Sequence, residues 1–326
     1  MKAVTLKAFG GPEVLQVGAA DTPKPGPNQL LVRVRATALN RADTLQRKGN
    51  YPPPVGESEI LGLELAGEVD SWGPGVSGFT KGQRVMALVA GGGYAEYCLV
   101  DQDMAMPIPS GWTFTQAAAV PEVFFTANET VFELGNLQPN EALLCHAGGS
   151  GVGTAVIQMA HHIGAKVYFT AGSEDKIKRA TALGAVAGIN YKTHDFAEEI
   201  ARLTGGQGVD VIEDFLGASY FARNIACLRT YGRLIIVAVM GGSKTELDLR
   251  VLQQKRLCIY GTTLRSRSLP EKRLVTRRFV ERWLPLLAQG RLKPVVDSVF
   301  PMNKVQDAHR AMEANQNFGK IILEID

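Results

Sequence analysis

Residues 143–153 read LLCHAGGSGVG, an apolar run that passes through a histidine into a glycine-rich loop. A phosphate-binding loop needs glycines where the backbone turns sharply close to a pyrophosphate, and then a helix whose free N–H groups face the anion. Glycines hold the first and last places of the G-x-G-x-x-G pattern here, and a serine holds the middle place. We therefore predict a dinucleotide-binding loop formed by Gly148, Ser150, Gly151, Val152 and Gly153. A turn that only packs a strand on a helix is the alternative.

The sequence after this loop alternates short β-type runs with helical periodicity. Val152, Val156, Met159 and Ile163 recur at spacings of four, three and four, as on one face of a helix. Such alternation builds a parallel sheet covered by helices, which binds ligands beyond the carboxyl ends of its strands. The pattern predicts a doubly wound α/β fold with six strands, at residues 142–146, 166–170, 186–189, 209–213, 233–239 and 257–260.

The first 120 residues have a different character. Short strand-like runs such as LLVRVRATAL are separated by turn-rich segments such as TPKPGPN and YPPPVGE, which predicts a β-rich module. After Pro294 the chain returns to this style and closes with GKIILEI, so we expect the tail to pair back onto the first domain. The predicted domains are residues 1–120 together with 294–326, and residues 121–293.

Composition and charge restrict the classes of function. The chain has 326 residues, of which 45% are hydrophobic and 21% charged, and its formal net charge of +3 gives no strong field for nucleic acid. Its cysteines, Cys98, Cys145, Cys227 and Cys258, are far apart and are typical of core thiols in a reducing compartment. No apolar run is long enough for a membrane span or a signal peptide. We expect a cytoplasmic protein with small-molecule partners, without a membrane or nucleic-acid partner.

The end of the second predicted strand bears on the choice between NADH and NADPH. NAD-binding forms place an Asp or Glu there for the ribose 2′-hydroxyl, whereas NADP-binding forms offer small polar and basic groups. Here Gly172 and Ser173 end the strand, and Lys176 follows one turn later, where its ammonium could meet a 2′-phosphate. Glu174 and Asp175 count against this, although acidic residues also suit the first turn of a helix. We predict NADPH as the cofactor.

Segments along the whole chain carry a family resemblance. They are ALNRADTLQRKGNYPPP, LGLELAGEV, GGGYAEY, HAGGSGVGTAVIQMA, GAVAGINY and NFGKIILEI. With these residues the chain resembles the zinc-independent quinone oxidoreductases of the medium-chain dehydrogenase/reductase superfamily. The resemblance implies a GroES-like catalytic domain, a Rossmann domain, and a homodimer joined through the edge strands of the two Rossmann sheets.

Zinc alcohol dehydrogenases of the same superfamily carry a cysteine at the position of Asn40 and a histidine at that of Leu63. Neither ligand is present here, and residues 100–143 contain no Cys or His to complete a site. Zinc prefers three or four such ligands. We therefore predict no metal, and a substrate such as a quinone that accepts hydride without a Lewis acid.

The resemblance also implies which residues form the active site. Asn40, Asp43 and Tyr51 correspond to residues beside the nicotinamide, and we expect them to be catalytic; turn chemistry is the alternative role for Asn40 and Asp43. None of the five histidines is expected to be catalytic. The cofactor-binding residues expected outside the loop, each with packing as its alternative role, are Tyr51, Thr126, Gly172, Ser173, Lys176, Tyr191, Phe215, Met240, Gly241, Leu264, Arg265 and Asn317.

The implied function is transfer of electrons from NADPH to quinones. Ortho-quinone substrates and one-electron reduction to semiquinones stay open. An alkenal or enone reductase is a close alternative, because an activated C=C bond also accepts hydride. The alternative from another class is an NADPH-binding protein with little turnover, like the crystallin relatives. The basic segment 265–282 leaves RNA contact open, although a solvated helix face explains it as well.

Overall fold

A computed structural model describes residues 1–325. Its internal contacts divide the chain into two compact units. The first unit consists of Met1–Phe125 and the segment that starts at Leu264, and the second unit is Thr126–Thr263.

Helices and strands are numbered in chain order. The first part of the chain holds β1 (Lys2–Leu6), β2 (Leu15–Ala19), β3 (Gln29–Ala38), α1 (Arg41–Arg47), β4 (Glu64–Trp72), β5 (Arg84–Leu88), β6 (Tyr97–Asp101), β7 (Met106–Pro107), α2 (Phe114–Ala118) and α3 (Pro121–Ala127). The middle part begins with a π-helical segment (Asn128–Leu134) and continues with β8 (Ala142–Cys145), α4 (Gly151–His162), β9 (Lys166–Ala171), α5 (Glu174–Thr181), β10 (Ala187–Asn190), α6 (Phe196–Leu203), β11 (Val209–Asp214), α7 (Ala218–Cys227), β12 (Leu228–Ile236), α8 (Leu249–Lys255) and β13 (Cys258–Gly261). The last part holds α9 (Leu269–Arg282), α10 (Leu284–Ala288), β14 (Val296–Pro301), α11 (Val305–Glu313) and β15 (Lys320–Glu324).

The first unit is rich in β-structure, as its turn-rich sequence predicts. Its main sheet has the strand order β14-β15-β3-β4-β5-β7, and β6 also pairs with β3. Strand β15 runs antiparallel to β3, with Ile322 opposite Ala38, so the end of the chain lies in the main sheet of the first unit. Residues 320–323 of β15 are all buried, which places Lys320 in the interior beside three apolar residues of the strand.

The second unit is the predicted doubly wound fold. Its six strands are all parallel and have the order β10-β9-β8-β11-β12-β13. This is the 3-2-1-4-5-6 order of dinucleotide-binding folds, in which the ligand crevice lies where the order reverses, here between β8 and β11. Strand β12 covers Leu228–Ile236 and not the expected 233–239, although the N–H of the next residue, Val237, still donates to the Asp214 carbonyl of β11 at 2.8 Å.

The two units differ from the predicted domains at the second boundary. Residues 264–293, which the sequence assigns to the second domain, group with the first unit. Helix α9 explains the difference, because it buries Phe279 against aromatic side chains of the first unit. The ring centroid of Phe279 lies 4.7 Å from that of Phe125 and 6.4 Å from that of Phe124.

Two further observations concern the compartment and the membrane. Three cysteines are buried as expected, but the expectation is wrong for Cys258, which is exposed because β13 is an edge strand. Within residues 1–325, no helix combines the length and the apolar composition needed to cross a membrane.

Candidate active site

The predicted phosphate loop lies between β8 and α4. Ser150 is the N-cap of α4, and its Oγ accepts a hydrogen bond from the Gly153 N–H at 3.0 Å. A side-chain carbon at Gly148 would stand 2.4 Å from the buried Phe169 ring, and one at Gly153 would stand 2.5 Å from the Ala147 carbonyl. Both positions therefore require glycine, whereas the middle position accepts serine because serine caps the helix. A bare backbone at the start of a helix fits a pyrophosphate group.

A buried polar cluster supports the start of this loop. His146 lies 3.0 Å from the Thr170 hydroxyl through Nδ1 and 2.8 Å from the Asn224 side-chain oxygen through Nε2. The rings of Phe196 and Tyr220 each pack with their centroids 4.9 Å from that of His146. Burial lowers the pKa of His146 to about 4, so the imidazole is neutral near pH 7. These contacts give His146 a structural role.

Four predicted cofactor residues meet at the end of β9. Ser173 caps α5, and its Oγ accepts a hydrogen bond from the Lys176 N–H at 3.4 Å. The hydroxyl of Tyr191 lies against Gly172, 2.6 Å from where a side-chain carbon would stand. A small residue, a hydroxyl, a lysine and a phenol therefore share one edge of the sheet, although they are spread over about twenty positions of the sequence.

The two acids that count against NADPH have partners within the protein. The carboxylate of Glu174 accepts a hydrogen bond from the Asn190 amide at 2.9 Å. Asp175 forms an ion pair with Arg179, one turn along α5, at 3.6 Å. Both acids are thus engaged by neighbouring side chains.

The ends of β11 and β12 carry three further predicted residues. The N–H of Met240 donates to the Phe215 carbonyl at 3.1 Å, and that of Gly241 donates to the Leu216 carbonyl at 2.7 Å. The buried carboxylate of Asp214 accepts the Leu216 N–H at 2.8 Å. Phe215, Met240 and Gly241 therefore lie at the same carboxyl edge of the sheet as the glycine loop.

The other cofactor-binding predictions have local contacts. The carbonyl of Thr126 accepts a hydrogen bond from the Thr130 hydroxyl at 2.8 Å. The Asn317 amide donates to the Gly319 carbonyl at 2.8 Å. Leu264 begins the returning segment of the first unit. The contacts of Thr126, Asn317 and Leu264 with a cofactor stay predictions.

Asn40 and Asp43 lie at the turn between β3 and α1. The Asp43 carboxylate accepts hydrogen bonds from the Asn40 N–H at 2.7 Å, the Gly62 N–H at 3.2 Å and the Tyr94 hydroxyl at 3.2 Å. Burial is the main cause that raises the pKa of Asp43 to about 6. The turn chemistry given above as the alternative is therefore present, and a catalytic contact by either residue stays a prediction.

Two buried charged residues hold the side-chain amide of Asn40. Its Nδ2 donates to Glu64 Oε1 at 2.9 Å, and its Oδ1 accepts from Lys320 Nζ at 2.6 Å. Lys320 and Glu64 form an ion pair at 2.8 Å, with their side chains 4% and 0% exposed. Neither charged residue is among the site residues predicted from the sequence. The signal that could have found them is a charged residue inside the apolar strands LGLELAGEV and GKIILEI.

The polar network continues through α1 and α11. His309 lies 3.5 Å from the Tyr94 hydroxyl through Nε2 and 3.1 Å from Arg47 through Nδ1. Arg47 in turn pairs with Glu313 at 2.6 Å. Burial first, and then the nearby Arg47 charge, lower the pKa of His309 to about 3. The partners of His309 could not be predicted from the sequence, because they are distant in the chain.

Tyr51 is held by Arg265. The guanidinium donates to the Tyr51 carbonyl at 3.2 Å and lies 5.2 Å from the centre of the Tyr51 ring. It also donates to the Ala90 carbonyl at 2.7 Å and to the Gln46 side-chain oxygen at 2.7 Å. Tyr51 itself is half-buried, and burial raises the pKa of its hydroxyl. Arg265 is therefore a support for Tyr51, and its contact with a cofactor stays a prediction.

The zinc position of the related dehydrogenases holds different chemistry. Asn40 presents an amide, Leu63 presents a buried apolar side chain, and the Lys320 ammonium lies beside Asn40. Across residues 1–325, no three His, Cys, Asp or Glu side chains are arranged to hold a metal ion. The residues present do not fit zinc.

Two family models match the chain. Residues 26–110 match the alcohol dehydrogenase GroES-like domain, and residues 151–278 match the zinc-binding dehydrogenase family. Together with the glycine loop at the switch point of a doubly wound sheet, these matches define an oxidoreductase of the medium-chain dehydrogenase/reductase superfamily.

Individual relatives narrow this assignment. The quinone oxidoreductase of Rattus norvegicus is 33% identical over 99% of this chain and 97% of its own length. The solved quinone oxidoreductase of Escherichia coli, complexed with NADPH, is 30% identical with a TM-score of 0.91, and the match covers 100% of both chains. An NAD-dependent alcohol dehydrogenase is 36% identical with a TM-score of 0.88 over 100% of both chains. The CurK enoyl reductase is 27% identical with a TM-score of 0.88, over 100% of this chain and 99% of its own. The chain belongs to the quinone-oxidoreductase-like family of the superfamily.

Proposed function

We propose that this protein is an NADPH-dependent quinone oxidoreductase that works without zinc. The observation that carries the proposal is the end of β9, where Ser173 caps the helix that contains Lys176 and Tyr191 lies against Gly172. The acids of this segment, Glu174 and Asp175, are paired with Asn190 and Arg179. A 2′-phosphate is recognised by cations and hydrogen-bond donors, whereas a free ribose 2′-hydroxyl favours an acidic acceptor. The NADPH complex of the Escherichia coli relative supports the same cofactor.

Tyr51 is the proposed quinone-binding residue. The bound nicotinamide supplies hydride, and the protein must bring the acceptor to about 3 to 3.5 Å from the donor carbon. The ring of Tyr51 offers a stacking surface whose position Arg265 fixes. The hydroxyl of Tyr51, whose pKa is raised by burial, can donate a hydrogen bond to a quinone oxygen that gains negative charge.

An alkenal or enone double-bond reductase is the second candidate, and the likeness to an enoyl reductase favours it. The products separate the two reactions, because a quinone yields a hydroquinone or semiquinone whereas an enone yields a saturated carbonyl compound. Steady-state NADPH oxidation over a panel of quinones and enones is the test. A protein that binds NADPH but oxidises it with neither class would match the low-turnover alternative.

Lys176→Ala tests the cofactor preference. Hydrogen bonds to charged groups contribute about 1.5 to 3 kcal/mol, so NADPH affinity should fall by roughly tenfold to a hundredfold, while NADH affinity barely changes. Lys178→Ala, on the exposed side of the same helix, controls for the loss of one charge. Calorimetric titration that shows equal losses for both cofactors would remove Lys176 from the 2′-phosphate site.

The proposal includes a cytoplasmic homodimer without a nucleic-acid partner. Among residues 1–325, strand β13 pairs only with β12, and its outer edge is the proposed pairing surface for a second copy. Tyr260 on this edge is 37% exposed. Tyr260→Lys places a charge on the edge and should shift the protein toward monomer in light scattering. An unchanged mass for this variant would argue against a β13 interface.

A further inference from the structure

The Lys320 ammonium is surrounded by three oxygen atoms. Its Nζ donates to the Leu39 carbonyl at 2.9 Å and to Asn40 Oδ1 at 2.6 Å, and it forms an ion pair with Glu64 Oε1 at 2.8 Å. The buried ammonium therefore has two hydrogen-bond acceptors and one counter-charge around it. The oxygens come from the turn after β3 and from the start of β4, whereas the cation comes from β15, near the end of the chain.

This arrangement occupies the place of a metal site. Asn40 and Leu63 stand where zinc dehydrogenases of the superfamily carry cysteine and histidine, and the amide and the carboxylate that remain suit an ammonium better than zinc. The site also needs a positive charge, because Glu64 is fully buried and an unpaired buried carboxylate is strongly unfavourable.

We propose that the Lys320 ammonium is the built-in cation of this site and a positioning residue for the active-site turn. It fixes the orientation of the Asn40 amide, because Oδ1 accepts a hydrogen bond from the ammonium and Nδ2 therefore donates to Glu64. It neutralises Glu64, whose second oxygen, Oε2, accepts the Glu122 N–H at 2.8 Å at the start of α3. One side chain thereby ties the turn after β3 to β4 and, through Glu64, to α3.

Lys320→Ala combined with chemical rescue tests this role. The substitution removes three methylene groups and the ammonium. Propylammonium has the same heavy atoms and can fill the space that they leave. The melting temperature should fall by about 5 °C or more, and kcat/KM for quinone by at least about tenfold. Added propylammonium should restore both in a dose-dependent way. Tetramethylammonium, a cation without an N–H donor, should restore neither.

Lys255→Ala is the matched control. Lys255 donates to three oxygens, the carbonyls of Ile225, Ala226 and Leu228, but it lies in the second unit. Its loss should leave kcat/KM for quinone within about twofold of the wild-type value, because helix-end lysines act locally. Rescue of Lys255→Ala by propylammonium to the same degree as Lys320→Ala would show a general salt effect and overturn the proposal.

A second pair of variants covers the case in which Lys320→Ala fails to fold. Lys320→Met keeps the stem of the side chain, so it should lose stability without responding to propylammonium. Adding Glu64→Gln to Lys320→Met removes the uncompensated charge and should recover part of the lost melting temperature. Wild-type stability and kcat/KM in Lys320→Met, or no recovery in the double variant, would overturn the proposal.

The activity measurements rest on the proposed quinone reduction, whereas the melting temperatures do not. If none of the quinones tested supports NADPH oxidation by the wild-type protein, the proposed function fails. Rescue of the Lys320→Ala melting temperature by propylammonium would still test the cation site.

Discussion

Glu213→Gln should change how the stability of the second unit depends on pH. Glu213 is fully buried on β11, where it accepts hydrogen bonds from the Thr130 hydroxyl at 2.6 Å and the Cys145 thiol at 3.2 Å. Burial raises its pKa from 4.5 to about 7. The native state therefore holds this proton more tightly than the unfolded chain does. The resulting stabilisation is fully present below pH 4.5 and is lost as the pH rises through about 7.

The size of the effect follows from the two pKa values. The gap between 4.5 and about 7 corresponds to about 3 kcal/mol, at about 1.4 kcal/mol per pH unit. Glutamine is neutral at every pH and keeps an oxygen that can accept from Thr130. Relative to the wild type, the variant should therefore gain only about 1 kcal/mol in free energy of unfolding at pH 5 and about 3 kcal/mol at pH 8.

Urea unfolding of both proteins at pH 5 and pH 8 measures this difference, provided that the m values agree. Glu246→Gln removes an exposed carboxyl from the same unit and controls for the change in net charge. A Glu213→Gln effect of the same size at both pH values would refute the reasoning, because it would show that the variant acts through packing and not through ionisation.

Three further predictions concern the site. Tyr51→Ala should lower kcat/KM for quinone by at least about tenfold with little change in melting temperature, Tyr51→Phe should lower it less because the stacking surface remains, and Asn40→Ala should fall between them. Wild-type kcat/KM in both folded alanine variants would contradict the assignment. Gly148→Ala should cost about 1 to 3 kcal/mol of stability because its methyl group would press on Phe169, whereas Gly261→Ala, with no heavy atom within 4 Å, should cost less. Elemental analysis should find no stoichiometric zinc, and activity should survive a chelator; activity that disappears with the metal would contradict this.

The sequence by itself determined the features that depend on local pattern. The glycine loop, the helix that follows it and the six parallel strands could be predicted because helices and strands impose short periods on apolar residues, and because a phosphate loop needs glycine at set positions. Residues at the carboxyl ends of the strands, such as Ser173 and Phe215, could be placed on one edge of the sheet for the same reason. The turn-rich segments of the first 120 residues predicted the β-rich domain, and the family resemblance added Asn40, Asp43, Tyr51 and the cofactor-binding residues outside the loop and the end of the second strand.

Only the tertiary structure decided what those residues touch. Asn40, Glu64 and Lys320 form one buried cluster, although more than 250 positions separate Asn40 from Lys320, and Arg265 supports Tyr51 from a similar distance along the chain. Such contacts could not be predicted from the sequence, because a single Lys or Arg is equally compatible with a solvated side chain and with a buried, paired one. The partners become apparent when β15 pairs with β3 and when α9 packs in the first unit. Burial then requires each charge to find a counter-charge or a carbonyl, and the fold alone determines which one is within reach.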